Sequence, residues 1–498
     1  MNLESLQAFF VPALLVAFPL IAAICLNFIH GRDRAVKGFA LISVIVVLLL
    51  PWITQYGVYW FGGHPYVDNI EGTNIMLSKL NLAIVYNFGV IQKIFIALLA
   101  LLASAAIVIH FTERTSGVYI AMIMLGIASA SAVIMADDVF NIFVFLEILT
   151  ISQAALVIAV GSVKAYKTAL KYLILGGVAG SAILLGISLL LGKYGMLNVS
   201  DLHNVIVSEA QSGISQTLII ACALIFTGWL FESGMVPFHI IKSDVYSKAR
   251  PSVAAFMQTQ TKFILVAMWV IILRLFYGIP TFNALVLGVA VLSMIFGVIM
   301  ALKQTEFTRL LAYVAVAQAG LVGVGLGIAT KASVSAGVFH AINDAMAMAI
   351  LFLSASIVLQ ITKTLNMHKV GGLLWKTGSI PLWSMLGIFA VSGMPPFNTY
   401  QSEFRIISAA SEAGYPELSV LIILTSIATF VALMKGFYAV YLKEGQDYLG
   451  KGEKEEAAYS IRIEFVMAIL LAICLGIGLF PQSVLQYVQQ FVISLGVI

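Results

Sequence analysis

Long apolar runs follow one another along this chain with only short polar connections between them, and that alternation leaves few architectures open. Inside hydrocarbon every backbone N–H and C=O needs a partner within the protein, so apolar segments of this length cross a bilayer as helices. Runs able to span a core of roughly 30 Å lie at about 6–29, 38–60, 89–111, 118–136, 138–160, 165–191, 216–240, 252–276, 282–302, 308–328, 333–361, 380–413, 417–441 and 463–481. The fold expected is therefore an all-α polytopic membrane protein of about fourteen transmembrane helices, embedded in the lipid bilayer of the cell (plasma) membrane. Composition agrees, since 61% of the 498 residues are hydrophobic and 10% are charged, against about 25% charged in soluble domains.

The cations set an orientation. Alternate connections hold Arg32, Arg34 and Lys37; Arg114; Lys164, Lys167 and Lys171; Lys242, Lys248 and Arg250; Lys303 and Arg309; Lys363, Lys369 and Lys376; and Lys443, Lys451, Lys454 and Arg462. The opposite connections hold only Lys79, Lys193, Arg274 and Lys331. By the positive-inside rule the first set is cytoplasmic, which puts both termini outside. Cations spread in this way do not form a nucleic-acid surface. Cys25, Cys222 and Cys474 sit in separate apolar runs without metal-ligand spacing and read as buried thiols, so neither a metal nor a cofactor is expected. The first residues lack a basic n-region, and no removable signal peptide is expected. The outer connection at 61–88 reads as extended or hairpin-like, with Gly62-Gly63 and Asn69 to Asn74 as turn formers. Residues 443–462 read as a solvated cytoplasmic connection.

One hexad occurs twice. Ser233-Gly234-Met235-Val236-Pro237-Phe238 is matched by Ser392-Gly393-Met394-Pro395-Pro396-Phe397. Proline removes a backbone donor and glycine relaxes the chain, so Gly234 with Pro237, and Gly393 with Pro395 and Pro396, should break the seventh and twelfth spans. Five helices separate the copies, and an odd offset inverts topology. Two inverted five-helix repeats follow, as in repeat-built transporters. The chain then divides into N-terminal helices at 1–117, a first repeat at 118–276, a second at 282–441, and a connection with a last helix at 442–498.

Charges at bilayer depth cost about 2.5–3.5 kcal/mol each on insertion scales and mark ion paths by default. This chain keeps Lys93, Glu147, Glu232, Lys262, Asp344, Glu403, Arg405 and Lys435 inside its spans. Lys262 is expected to pair with Glu147, Glu232 or both, either as a proton relay or as a fixed bridge between helices. His340 and Asp344, spaced i, i+4, share a helix face and offer a second relay, with Asn343 as an alternative hydrogen-bond partner for the histidine. Glu403 and Arg405 follow the second break and are expected to neutralise each other. Asp137-Asp138 reads as a solvated or helix-capping pair. No residue set for bond-making chemistry is present. The expected ion path is Glu147, Glu232, Lys262, His340, Asp344, Glu403 and Lys435.

Several stretches together resemble the antiporter-like subunit family shared by Mrp-type cation/proton antiporters, respiratory complex I and membrane-bound hydrogenase or related reductase complexes. Phe143 to Glu147 is similar to the family's fifth-helix F-x-x-x-E, and Lys262 after Pro251-Ser252-Val253 to its eighth-helix lysine. Ala301 to Val314 resembles A-L-x-Q-x-D-x-K-R-L-L-A-Y-S, and Gly393 to Glu403 resembles G-x-P-P-F-x-G-F-x-S-K/E. The chain departs from the family at Glu232, where a lysine precedes the break; at Thr308, which replaces the lysine of K-R; at Asp344 and Met348 in place of H-x-x-x-K; and at Thr399-Tyr400 in place of Gly-Phe.

The resemblance implies a membrane subunit that translocates H+, Na+ or both. It implies other membrane subunits as partners and, in a redox-driven complex, subunits carrying Fe–S clusters. The chain itself is no stand-alone enzyme. A non-conducting scaffold subunit and a single-chain secondary transporter are the alternatives. Cysteine probes at 242–250 should react from the cytoplasm and probes at 61–88 from outside; reaction of both from one side would refute the inverted repeat.

Overall fold

A computed structural model describes residues 3–29, 33–61, 84–109, 117–210, 213–276, 280–444 and 453–495. The chain opens with α1 (Leu3–Phe28) and α2 (Asp33–Ile53), a two-stranded ribbon of β1 (Gly57–Phe61) and β2 (Ile84–Phe88), and α3 (Val90–Ile109). Next come α4 (Gly117–Met135), α5 (Val139–Ile158), α6 (Val163–Tyr194), α7 (Val199–Ala210), α8 (Gln216–Ser233), α9 (His239–Lys248) and α10 (Pro251–Phe276). The second half holds α11 (Pro280–Lys303), α12 (Phe307–Gly327), α13 (Lys331–Thr362), α14 (Ile380–Val391), α15 (Asn398–Glu412) and α16 (Pro416–Phe437), which ends in a π turn, Tyr438–Leu442. Last are α17 (Glu453–Leu479) and α18 (Gln482–Ser494).

Among the described residues eleven helices are long and apolar enough to cross a membrane, and the pair Ile463–Leu479 and Gln482–Ser494, bent by 75°, makes twelve if it is one span. The shorter apolar helices Pro12–Phe28 and Ile380–Val391 fall below that length. The protein is thus a polytopic helical membrane protein, and the expected fourteen is reached only when these short helices also cross.

Local chemistry explains where the helices begin. Asp138, Ser162 and Ser215 cap α5, α6 and α8 by accepting from Asn141, Ala165 and Leu218 N–H. Thr330 and Ser333 form a reciprocal capping box at the head of α13, satisfying donors that a helix start leaves orphaned. Of the Asp137-Asp138 pair, expected to be solvated or capping, only Asp138 caps a helix; Asp137 pairs with Arg274 at 2.6 Å, and both are buried because the helix ends close over them. The hairpin expected at 61–88 exists at its base, where Gly57 pairs with Phe88 and Phe61 with Ile84 in antiparallel register. Its turn formers at 62–83 lie outside the described residues, as do 445–452 of the connection before α17.

Both hexads break their helices. Gly234 (φ +67°) and Gly393 (φ +66°) take left-handed conformations, open to glycine without the cost a Cβ would add. Met235 N–H reaches back to Leu230 O and Met394 N–H to Phe389 O. The Val236–Pro237 and Pro395–Pro396 peptides are both cis. The halves match elsewhere too: Asp138 forms an antiparallel bridge with Asn198, and Glu306 forms one with Asn366, and Asp138 and Glu306 stand at the N-caps of α5 and α12.

Helices α10, α12 and α13 are almost wholly buried and form the centre of the molecule. Only a helix screened from lipid on all sides can carry the run Gln258-Thr259-Gln260-Thr261-Lys262, every member of which is buried. Glycines let α11, α12 and α13 approach closely. A Cβ at Gly320 would lie 2.7 Å from Ala290 O of α11, and one at Gly325 would lie 2.8 Å from Gly337 Cα of α13. Gly320→Ala should therefore destabilise the protein in detergent by about 1–3 kcal/mol through overpacking. Gly177→Ala, with open space at its Cβ, should leave the melting temperature unchanged or raise it.

Candidate functional site: a buried polar axis

The groups that cost most to bury gather along one line through the molecule. Its first cluster surrounds the break between α8 and α9. Glu232, the penultimate residue of α8, accepts from Thr150 Oγ1 (3.2 Å) of α5 and from Lys242 Nζ (3.4 Å) of α9. Lys242 also donates to Tyr172 Oη (2.8 Å) and Gln153 Oε1 (3.4 Å), and its ammonium lies over the Tyr172 ring at 4.9 Å. Tyr172 donates to Gln153 Oε1, and Gln153 Nε2 to Gln260 Oε1 of α10. Thus α5, α6, α8, α9 and α10 all meet here around one carboxylate and one ammonium.

A hydroxyl pair lies between this cluster and the centre. Tyr246, one turn after Lys242 on α9, donates to Thr261 Oγ1 (2.6 Å), the residue before Lys262. Lys262 Nζ then lies 2.8 Å from Asp344 Oδ2 of α13, both side chains fully buried, and donates to Ala315 O of α12 (3.0 Å). The contact with Asp344 is an ion pair by distance, and Asp344 has no other cation beside it among the described residues. Beyond it, His340 Nε2 is 2.8 Å from Gln318 Oε1 and Nδ1 is 2.8 Å from Ser402 Oγ. Asn343 Nδ2 donates to Ser402 Oγ and to Asn398 O, tying α13 to the start of α15. Glu403, buried next to Ser402, accepts from Ser426 Oγ of α16 (3.1 Å).

Sequence expectations and geometry differ at several of these residues. Lys262 does not pair with Glu147 or Glu232; its partner is Asp344, because its side chain points from α10 across to the second half. Glu232 finds its cation ten residues along its own chain, on the helix that resumes after the break. That cation, Lys242, reads in sequence as a member of a cytoplasmic connection, yet it is 1% exposed. Glu147 is half-buried against Gly180, where a Cβ would overlap its carboxylate, and has no hydrogen bond or ion pair among the described residues. His340 is held by Gln318 and Ser402 and not by Asn343. Glu403 and Arg405 do not neutralise each other, since Arg405 Nη1 donates to Gln401 O (2.7 Å) and Oε1 (2.9 Å). Lys435 stands apart from the axis: its exposed ammonium donates to Leu302 O (2.6 Å) and Gln304 O (3.1 Å) where α11 ends, a favourable place for a cation. Lys93 lies over Trp52 and Tyr56 at 5.0 and 4.9 Å.

The chain as a whole is similar to several known proteins. The family model described as "NADH:quinone oxidoreductase/Mrp antiporter, TM" matches residues 136–430. An uncharacterized protein of Methanocaldococcus jannaschii is 36% identical, over 97% of this chain and 98% of its own. The NADH-quinone oxidoreductase subunit N 3 of Streptomyces griseus is 28% identical over 65% of this chain and 60% of its own length. Among solved structures, a chain of the membrane-bound sulfane sulfur reductase, an archaeal respiratory membrane complex, superposes with a TM-score of 0.84 at 25% identity over 97% of both chains. A chain of the Mrp complex from Dietzia sp. DQ12-45-1b superposes with a TM-score of 0.83 at 19% identity over 99% of this chain and 98% of that one, a likeness of fold.

Removing one member of a buried ion pair strands the other, at a cost of about 3–5 kcal/mol, whereas a matched apolar replacement of both can be neutral. Asp344→Ala should therefore sharply lower the melting temperature of the purified protein. Lys262→Met combined with Asp344→Leu should recover most of that loss, and a double variant no more stable than Asp344→Ala would refute the pairing.

Proposed function

We propose that this chain, which belongs to the NADH:quinone oxidoreductase/Mrp antiporter transmembrane family, is the antiporter-like membrane subunit of a multisubunit ion-translocating complex, and that it passes protons along the axis from Glu232 to Glu403. The observation that carries this reading is the alternation, along one buried line, of carboxylates, ammoniums, hydroxyls and an imidazole. A carboxylate holds its charge at depth only while a cation faces it, and a lysine only while a carboxylate does. A proton delivered to Glu232 neutralises the group that holds Lys242, whose ammonium is then in excess and favours release of a proton inward. Tyr246 and Thr261 lie on the way to Lys262, where the same exchange against Asp344 follows. His340, hydrogen-bonded on both ring nitrogens, is placed to carry the charge onward. Glu147, without a partner among the described residues and set at the side of the axis, is read as the point where the axis meets a neighbouring subunit.

The matched breaks and the matched bridges at Asp138 and Glu306 support two inverted repeats, α4 to α10 and α11 to α16, within fourteen spans. With cations concentrated on alternate connections, both termini lie outside the plasma membrane in this reading. The partners are further membrane subunits, joined by Fe–S subunits where the complex is redox-driven and by antiporter subunits where it exchanges cations. Lys242 occupies, from the other side of the break, the role of the lysine that the family resemblance places before it.

Lys242→Ala and Lys262→Ala should each lower proton translocation per assembled complex by at least about tenfold, equivalent to about 1.4 kcal/mol of barrier, a loss well beyond any loss of assembly. Lys435→Ala, off the axis, should lower it far less. Unchanged translocation in both axis variants, with the complex intact, would make the subunit a scaffold.

A further inference from the structure

The start of α6 carries three cations that the rest of the described chain leaves uncompensated. Lys164, Lys167 and Lys171 are all exposed, and at 3.6 residues per turn they fall within about 60° of one another around the helix. None of them has an ion pair, a hydrogen bond or a ring partner among the described residues. Other cations of the set assigned to the cytoplasm are answered, Lys248 by Glu306 and Arg309 by Asp244. Along the chain the nearest carboxylates on either side are Glu147 and Asp201, and the turn before α6, Ala159-Val160-Gly161-Ser162, is uncharged. The position adds to the cost. The positive end of a helix dipole disfavours a cation in the first turn, yet Lys164 stands there with no acidic residue beside it in that turn. Of the donors orphaned at a helix start, the Ser162 hydroxyl accepts from Ala165 N–H.

Deeper in the bilayer the same face turns apolar and stays open. Ile174, Val178 and Leu185 are 58, 64 and 54% exposed, and together with the lysines they occupy a stripe about 80° wide. From Ile174 to Leu185 the helix rises about 16 Å, close to the roughly 15 Å of hydrocarbon in one leaflet. The headgroup layer is about 5–8 Å deep on each side, whereas Lys164 and Lys171 are separated by about 10 Å along the axis. The Lys171 stem therefore lies along the apolar face while its ammonium snorkels toward the other two. Gly180, which packs against Glu147, lies about 150° round the helix from this stripe, so the face is separate from the proton axis.

We propose that this face of α6 binds an anionic phospholipid, with the phosphate held by Lys164, Lys167 and Lys171 and an acyl chain laid along Ile174, Val178 and Leu185. Charge decides the class of headgroup. A net negative one neutralises the lysines and meets the open donors of the helix start, whereas a zwitterionic one brings an ammonium of its own into a cluster of three. Length decides the source. A free phosphate would gain the same charge contacts but would leave the apolar stripe below them uncovered, and a lipid covers both. A lysine beside an anionic lipid surface is worth roughly fivefold in binding, so three acting together should give well over a tenfold preference for an anionic lipid over a zwitterionic one with the same chains. The site does not depend on whether the subunit conducts.

The test is native mass spectrometry of the purified full-length protein in mild detergent, titrated with phosphatidylglycerol and, separately, with phosphatidylcholine of the same acyl chains. The first phosphatidylglycerol should bind at least tenfold more tightly than the first phosphatidylcholine. Combined Lys164→Gln, Lys167→Gln and Lys171→Gln should abolish that preference. Combined Lys303→Gln, Lys369→Gln and Lys443→Gln, which removes as much charge from other exposed positions, should leave it intact. Equal affinity for the two lipids overturns the proposal, as does an undiminished preference in the α6 triple variant. An equal loss in the control triple variant overturns it as well, since the preference would then come from the diffuse field of the protein and not from a site. Should the α6 triple variant fail to insert, the three single variants decide, each expected to bind several-fold more weakly, and three unchanged affinities overturn the site. Displacement of the lipid by an equal concentration of glycerol 3-phosphate overturns the assignment to a lipid. So does protection of Lys164 and Lys167 from an amine-reactive reagent in the delipidated complex, which would give the face to a protein partner.

Discussion

The ion pair between Lys262 and Asp344 is the contact on which the rest of the arrangement depends. Each group is fully buried and each comes from a different half of the chain. Neither charge is tolerable at this depth without the other, so the pair holds α10 against α13, and the halves to which they belong, in one register. Neighbouring contacts act in the same direction: Lys262 also donates to Ala315 O, and Gln258 Nε2 donates to Ala345 O. Two more bridges cross between the halves from α9 to the start of α12, Lys248 with Glu306 at 2.8 Å and Arg309 with Asp244 at 3.2 Å. These outer bridges are partly exposed and contribute little each, so the register is set at the centre.

Most of the axis was legible as charge inside apolar runs. Glu232, Lys262, Asp344 and Glu403 stand out in that way, and His340 through its spacing from Asp344. The partners were not legible, because which carboxylate faces which ammonium depends on rotation about helix axes that a count of spans does not fix. Lys242 was hidden for a different reason. After Pro237-Phe238 the chain reads H-I-I-K-S-D-V-Y-S-K, polar enough to pass for a connection, yet it folds as α9 and packs against α6 and α12. A helix surrounded by protein needs no apolar face toward lipid. The signal available was the break itself: a chain halted within the bilayer has to complete its crossing, and the residues that do so lie as deep as those before them.

The neutral members of the axis, Thr150, Gln153, Tyr172, Gln260 and Gln318, were missed because a search for charge passes over them. Their burial is the retrospective clue, since amides and hydroxyls are retained inside a protein where something needs to be hydrogen-bonded. The twelfth span shows the converse. As sequence it is a continuous stretch from 380 to 413, and the resemblance of its hexad to that of the seventh span was enough to place the interruption that separates the twelve residues of α14 from the fifteen of α15.

Ser402 has one hydrogen and three neighbours. Asn343 donates to it, Thr399 O is an acceptor only, and His340 Nδ1 takes either role. Gln318 Nε2 is committed to Val391 O, which turns Oε1 toward His340 and requires a hydrogen on Nε2. When Ser402 points its hydrogen at the imidazole, Nδ1 is a bare acceptor and the ring is neutral. When it points at Thr399 O, only an Nδ1 that carries a second proton completes the bond, and the ring is an imidazolium. Any change of charge on the histidine would thus require one hydroxyl rotation, the roles of Asn343, Thr399 O and Gln318 being fixed by their own bonds.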